Sequence, residues 1–138
     1  MNKQKTLLKI QDSIQNTIIS TIGIEIIDIG DDYVCGKMPV DERTVQIFGI
    51  LHGGASVTLA ESLGSIAGSM QIDLNTEMVV GVEINANHLK SVSEGWVKGK
   101  ATPIRIGKKM QVWEIKIANE INELVCISRL TLAVVKKR

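Results

Sequence analysis

The stretch His52–Met70, HGGASVTLAESLGSIAGSM, decides how the rest of the chain is read. It lacks proline, is rich in Ala, Ser and Leu, and is long enough for about five helical turns, which predicts a helix despite its glycines. Between Gly49 and Ile72 the only formal charge is Glu61. At about 100° per residue, Thr58, Ser62, Ser65 and Ser69 fall on the side of Glu61, flanked by Gly54, Gly64 and Gly68. Leu59, Leu63, Ile66 and Met70 fall opposite and are expected to face a core. The polar stripe has two readings. It is either a solvated face with an ordinary glutamate, or a surface where a ligand or another backbone comes close and the carboxylate serves as base or nucleophile. A solvated stripe usually carries Lys, Arg and several Glu, whereas this one carries Gly and Ser.

The start of this helix adds a second feature. Unpaired amides at a helix N-terminus are a ready site for a carbonyl oxygen that is gaining negative charge. In His52-Gly53-Gly54 no Cβ blocks such an approach at the glycines. The alternative is a glycine-rich helix entry in which His52 is a simple cap.

Working outward, Leu7, Leu8, Ile10, Ile14, Ile18 and Ile19 recur at helical spacing and predict one amphipathic helix before Gly23. Residues 23–40, GIEIIDIGDDYVCGKMPV, read as a hairpin that turns at Gly30-Asp31-Asp32, with Pro39 closing the second strand. Residues 41–51 form a structured loop. After a turn at Asp73–Thr76 come four strands, 77–89, 95–105, 109–119 and 124–135, with a solvated Lys136-Lys137-Arg138 tail. The order is helix, two strands, helix, then four strands in antiparallel succession. It predicts a single α+β domain over residues 1–138, with one sheet of about six strands on one long helix.

Composition bounds the function. The 138 residues are 44% hydrophobic and 22% charged, an ordinary globular balance. A net charge of +1 and 3% aromatics give neither the basic footprint nor the stacking platforms expected of a nucleic-acid partner. No apolar run approaches the roughly 20 residues of a membrane span. The N-terminus lacks the apolar core of a signal peptide, so a cytoplasmic location is expected. Cys35 and Cys126 are far apart, fit no metal spacing, and are expected to be reduced thiols. GxSxG, GxGxxG, Walker A and HExxH patterns are absent. Neither His52 nor His88 belongs to anything resembling a metal set. Around a turn, Arg105, Ile106, Gly107, Lys108 and Lys109 place three cations, which suit either a solvated hairpin or a grip on phosphate.

The segment RTVQIFGILHGGASVTLAESLGSIAG strongly resembles the active-site segment of hotdog-fold acyl-CoA thioesterases. The branch it is most similar to holds 1,4-dihydroxy-2-naphthoyl-CoA thioesterase and the phenylacetate-pathway (PaaI-like) enzymes. GVEINANHLKSVSEGWVKGKATPIRIGKKMQVWEI and GDDYVCGKMPVDERT extend the likeness from about Gly23 to the C-terminus. Gln46, HGGA, Glu61 and Ser65 at these offsets are its most specific part.

The resemblance implies a long central helix wrapped by an antiparallel sheet, and hydrolysis of an acyl-CoA or aroyl-CoA thioester. It makes Glu61 the acidic nucleophile or general base. The Gly53 amide would polarise the thioester carbonyl, Gln46 and His52 would position it or the attacking water, and Ser65 would orient the carboxylate or the water. CoA would run along Gly81, His88, Leu89, Lys90 and Ser91 and across the turn Arg105, Ile106, Gly107, Lys108, Lys109 and Met110. Leu89 and Ser91 stand where other members carry basic residues or proline. CoA is then part of the substrate and no separate cofactor or metal is expected. The implied assembly is a homodimer as minimal active unit, often paired into a homotetramer. Two alternatives share the fold. A hotdog hydratase uses a catalytic His with an acidic partner, but the proline-rich loop of the dehydratases is missing here. A non-catalytic acyl-CoA-binding sensor usually carries a DNA-binding segment, for which 138 residues are expected to leave no room.

Overall fold

The computed structural model describes residues 2–138. The N-terminal segment is not one helix. It forms α1 (Lys3–Ser13) and a single turn, α2 (Ile18–Thr21). Two local devices break the continuity that the apolar spacing suggests. Asn16 adopts φ 61°, a left-handed conformation that asparagine tolerates and a helix does not pass through. Thr17 then caps α2, its hydroxyl accepting from the Ile19 N–H at 3.2 Å.

The expected hairpin follows as β1 (Glu25–Ile29) and β2 (Val34–Pro39). The remaining elements are α3 (Gly53–Ser69), β3 (Glu77–His88), β4 (Trp96–Ile106), β5 (Met110–Ala118) and β6 (Leu124–Lys136). Lys136 therefore closes the last strand and is not part of a tail. All strands pair antiparallel in one sheet ordered β1-β2-β4-β5-β6-β3. The first hairpin continues into the later strands through β2 and β4, and β1 and β3 are left as the two edges.

Strand alternation builds the floor on which α3 lies. Val97 and Ala101 of β4, Trp113, Ile115 and Ile117 of β5, and Leu130 and Leu132 of β6 are buried. Glycines make the fit close in both directions. Gly36 and Gly99 are cross-strand partners. Ideal Cβ atoms on them would lie 2.7 and 2.8 Å from the two Leu63 methyls, so together they form a socket for that side chain. In return Leu130 and Leu132 press against Gly64 and Gly68 of α3, where a Cβ would meet them at 2.6 and 2.5 Å. The buried Gln111 side chain ties the far end of the helix to the sheet. Its Nε2 donates to the Gly68 carbonyl at 3.3 Å while its Oε1 accepts from Trp113 Nε1 at 2.8 Å.

This packing buries Leu59 and Leu63 as expected and corrects the predicted place of two α3 glycines. Gly64 and Gly68 face the sheet and are buried, whereas Ile66 and Met70 are only half-buried. The stripe around Glu61 therefore separates. Gly64 and Gly68 accept sheet leucines, Gly54 stays exposed beside His52, and Thr58, Ser62, Ser65 and Ser69 stay on the open face with the carboxylate.

Candidate active site

The loop between β2 and α3 sets the helix start. Thr44 is buried and donates from its hydroxyl to the Pro39 carbonyl at 2.6 Å. Val45 bridges to Leu51, and the His52 N–H bonds the Thr44 carbonyl at 2.8 Å. Gln46 leads the tight turn within this loop. Its side-chain Oε1 accepts from the Phe48 N–H, and Gly49 supplies the left-handed φ of 79°. That turn leaves Ile47 and Phe48 93% and 81% exposed, two large apolar side chains held out in water.

His52 is the N-cap of α3, and its Nδ1 accepts from the Gly54 N–H at 2.7 Å. This bond assigns the ring proton to Nε2, which is left as a donor. The Ala55 and Ser56 N–H groups return to the His52 carbonyl at 3.0 and 3.3 Å. Among the described residues, Gly53 N–H is thus the first-turn amide without an acceptor. The cap reading of His52 and the open-amide reading of Gly53 are both realised.

A cleft of about 380 Å³ opens at this end of the helix, lined by Gly53, Ser56, His88, Leu89, Lys90 and Ser91 among others. The His88 ring sits against the helix start, and an ideal Cβ at Gly53 would be 2.8 Å from its Nε2. Glycine lets this exposed ring lie close to the helix start, and a side chain at 53 would displace it. Lys90 is partly engaged already, 3.1 Å from Glu123. Bonds from Asn119 and Lys90 hold the Glu123 carboxyl below its usual range. Ser56 was not foreseen as a site residue. On the helical wheel it falls away from Glu61, and only the cross-sheet position of His88 brings it to the cleft.

Glu61 lies two turns further along α3, half-buried. It stands against the β3 backbone, where a Cβ on Gly81 would be 2.5 Å from its Oε2. The β3 register slips between Gly81 and Glu83 at this point, so the strand bends beside the carboxylate. Gly81 is thus a neighbour of Glu61. Among the described residues, no hydrogen bond joins Glu61 to Gln46, His52 or Ser65. Thr58 and Ser62 turn their hydroxyls back to helix carbonyls at 2.9 and 2.6 Å.

The two proposed CoA segments lie at opposite ends of α3. Residues 88–91 flank Gly53, whereas Gln111, next to the 105–110 turn, bonds Gly68. The helix has 17 residues, so its ends are about 25 Å apart. Among the described residues, no helix is long and apolar enough to cross a membrane.

Comparison with known proteins gives a consistent answer. Residues 48–126 match the family model of the thioesterase superfamily. The chain is 48% identical to the 1,4-dihydroxy-2-naphthoyl-CoA hydrolase of Escherichia coli, over 87% of this chain and 88% of that protein. It is also 48% identical to a proofreading thioesterase of Cronobacter turicensis, over 86% and 85% of the two. A crystal structure of a Haemophilus influenzae thioesterase superposes with a TM-score of 0.91 at 49% identity, covering 94% of this chain and 90% of that one. These relatives, the six-stranded antiparallel sheet and its single long helix identify the fold as a hotdog and the activity as thioester hydrolysis: the chain belongs to the thioesterase superfamily.

Proposed function

We propose that the protein hydrolyses acyl-CoA or aroyl-CoA esters, with Glu61 as nucleophile or general base and the Gly53 amide polarising the thioester carbonyl. The observation that carries this reading is the free Gly53 N–H at the N-terminus of α3, opening on a cleft. Negative charge develops on the carbonyl oxygen during attack, and a fixed backbone donor holds it without reorganisation. Such a donor is typically worth about 10²–10³ in rate. With Glu61 as base, water adds to the carbonyl carbon as the carboxylate takes its proton, the C–S bond breaks, and the CoA thiolate leaves and is protonated. With Glu61 as nucleophile, its carboxylate adds to the carbonyl carbon, the C–S bond breaks, and the CoA thiolate leaves and is protonated. The resulting anhydride is then opened by water to the free acid and the Glu61 carboxylate. His52 Nε2–H and the Gln46 amide position the carbonyl or the water, and Ser65, one turn beyond Glu61, orients the carboxylate. The Escherichia coli relative's name favours an aromatic acyl group such as 1,4-dihydroxy-2-naphthoyl. The short side chains beside Glu61 leave room for a ring.

The active unit in this reading is a dimer, itself able to pair into a tetramer. Gly53 and Glu61 are eight positions apart on one helix, about 12 Å by helical rise. Reacting atoms must come within about 3–3.5 Å. One helix therefore does not serve one thioester with both groups. Two antiparallel copies of α3 would bring the start of one to the middle of the other. The same arrangement would bring residues 88–91 of one chain towards the 105–110 turn of the other along one CoA. The edge strand β3, 12 residues long with one side unpaired, is a template for joining a second chain. Ile47 and Phe48 would be covered by it.

The test is release of free CoA from benzoyl-CoA, followed with a thiol reagent. Glu61→Ala is expected to keep the fold and lower kcat by at least about a hundredfold. A variant within a few-fold of wild type would return Glu61 to an ordinary solvated side chain.

A further inference from the structure

On the face of the sheet turned away from α3 lies a groove of about 860 Å³, larger than the cleft at the helix start. Lys37 of β2, Lys98 and Lys100 of β4, and Lys116 of β5 line it, with Trp96 at one end and the half-buried Cys35 in its floor. The register sets these lysines directly against one another: Lys37 is the cross-strand partner of Lys98, and Lys100 of Lys116. Like charges directly opposite on a sheet are destabilising. Carboxylates do little to relieve this repulsion. Glu25 reaches only to 4.0 Å from Lys37, Glu120 lines the groove beside Gly95 at the Trp96 end, and Lys98, Lys100 and Lys116 form no ion pair among the described residues. Two of the ammonium groups rest on aromatic faces, Lys37 at 4.3 Å from the Trp96 ring and Lys100 at 4.6 Å from Tyr33. The chain is nearly neutral overall, so this cluster is a local concentration of one sign.

We infer that this lysine-lined groove is a docking surface for the carboxylate-rich face of a partner protein. Four point charges, three of them without an ion pair among the described residues, are complementary to an acidic surface, and binding one would relieve both repulsive pairs. The same chemistry argues against a discrete phosphate ligand. The groove lining holds no arginine fork, and the central strands spend their backbone N–H groups on the sheet ladder, so no bidentate or amide seat is offered. A second copy of this chain packed face to face would set lysine against lysine. Ammonium groups on flexible stems are suited instead to several separated carboxylates.

The probe is a fluorescein-labelled helical peptide of about 15 residues with glutamates spaced at i and i+4, titrated against the full-length protein at low ionic strength. Parallel titrations use tripolyphosphate and phosphatidylserine vesicles. The peptide is expected to bind wild type with an affinity that falls as salt is added. The double variant Lys98→Glu, Lys116→Glu should weaken it at least about tenfold. That variant sets each new carboxylate opposite Lys37 or Lys100, so its melting temperature at low salt should equal or exceed that of wild type. Lys108→Ala, Lys109→Ala serves as control for the other basic cluster and should bind the peptide as wild type does. No binding, binding indifferent to the reversal, or capture of tripolyphosphate or vesicles in preference to the peptide would overturn the inference. A groove already covered by another copy of the chain would leave the peptide unbound and overturn it equally.

Discussion

The contact between Glu61 and Gly81 ties the candidate catalytic carboxylate to a backbone position rather than to a side-chain partner. An added methyl at Gly81 would come within 2.5 Å of Glu61 Oε2. Because the obstructed atom is the end of a flexible side chain, the strand need not move; the carboxylate must. Gly81→Ala is therefore expected to fold with near-native stability and to lower kcat by about tenfold or more, through displacement of a group that must be held to a fraction of an ångström. Circular dichroism and steady-state rates on a CoA ester would check this. An unchanged kcat would mean that Glu61 has slack at its working position. Residue identities were legible here and their company was not. A single acid in an apolar helix and the HGG start stand out in the sequence. The adjacency of His88 to Gly53, of Gly81 to Glu61, and of Ser56 to the cleft depends on the register of β3 and β6, which no local pattern specifies.

At the scale of elements, helix and strand periods located α3 and all six strands to within a residue or two. They put Leu59 and Leu63 in the core, as found, and misplaced two glycines of α3. Seen as a helix alone, Gly64 and Gly68 belong with the small polar side; seen against the sheet, they are the hollows that Leu130 and Leu132 fill. A helical wheel counts a glycine as polar or neutral, whereas packing treats it as room. Leu63, fully buried in its socket of Gly36 and Gly99, is the reciprocal case. Leu63→Ala is expected to cost about 2–5 kcal/mol in urea unfolding, because two facing glycines have no side chains with which to refill the space. A loss below about 1 kcal/mol would show that α3 settles into the gap. The break between α1 and α2 was hidden for a different reason, since it rests on a left-handed asparagine and a threonine cap inside an otherwise regular apolar spacing.

Attachment of α1 gives the element-scale pH prediction. Lys3 contacts Asp28 of β1 at 2.8 Å, and Tyr33 donates to the same carboxylate at 3.0 Å. The Lys3 hydrogen bond, then that of Tyr33, hold Asp28 below its usual 3.8, and Asp28 raises Lys3 above 10.5. A lowered carboxylate stabilises fully above 3.8, and its contribution fades as pH falls through the lower folded value. The raised ammonium stabilises fully below 10.5 and is lost as pH rises through its higher folded value. Docking of α1 should accordingly be insensitive to pH between these limits and loosen only outside them. Lys3→Ala should move the Asp28 titration, followed by its side-chain carboxyl carbon in NMR, up towards 3.8. A titration that stays where it was would leave Tyr33 and the Ile29 N–H as the cause.

At the scale of the whole molecule, one chain carries every candidate group and yet does not assemble them. The open amide of Gly53 and the carboxylate of Glu61 are two turns apart on a straight helix, and the two CoA segments flank opposite ends of it. The distance argument is available from the sequence once α3 is recognised; the free edge of β3 and the exposed Ile47 and Phe48 are visible only in the fold. If each site takes Gln46 and Gly53 from one chain and Glu61 from the other, two dead variants should complement each other. Gln46 belongs with Gly53 in this count because the Val45–Leu51 bridge and the bond from His52 N–H to the Thr44 carbonyl fasten its loop to the helix start. Glu61→Ala and Gln46→Ala, each nearly inactive alone, are to be unfolded, mixed in equal amounts and refolded. Random pairing makes about half the dimers mixed, and each mixed dimer has one intact site and one that lacks both groups. About a quarter of wild-type activity should return. Differently tagged chains, isolated together, would establish that mixed dimers are present. If they form and the mixture stays as inactive as its parents, Gln46 and Glu61 act within one chain and the two-chain site is wrong.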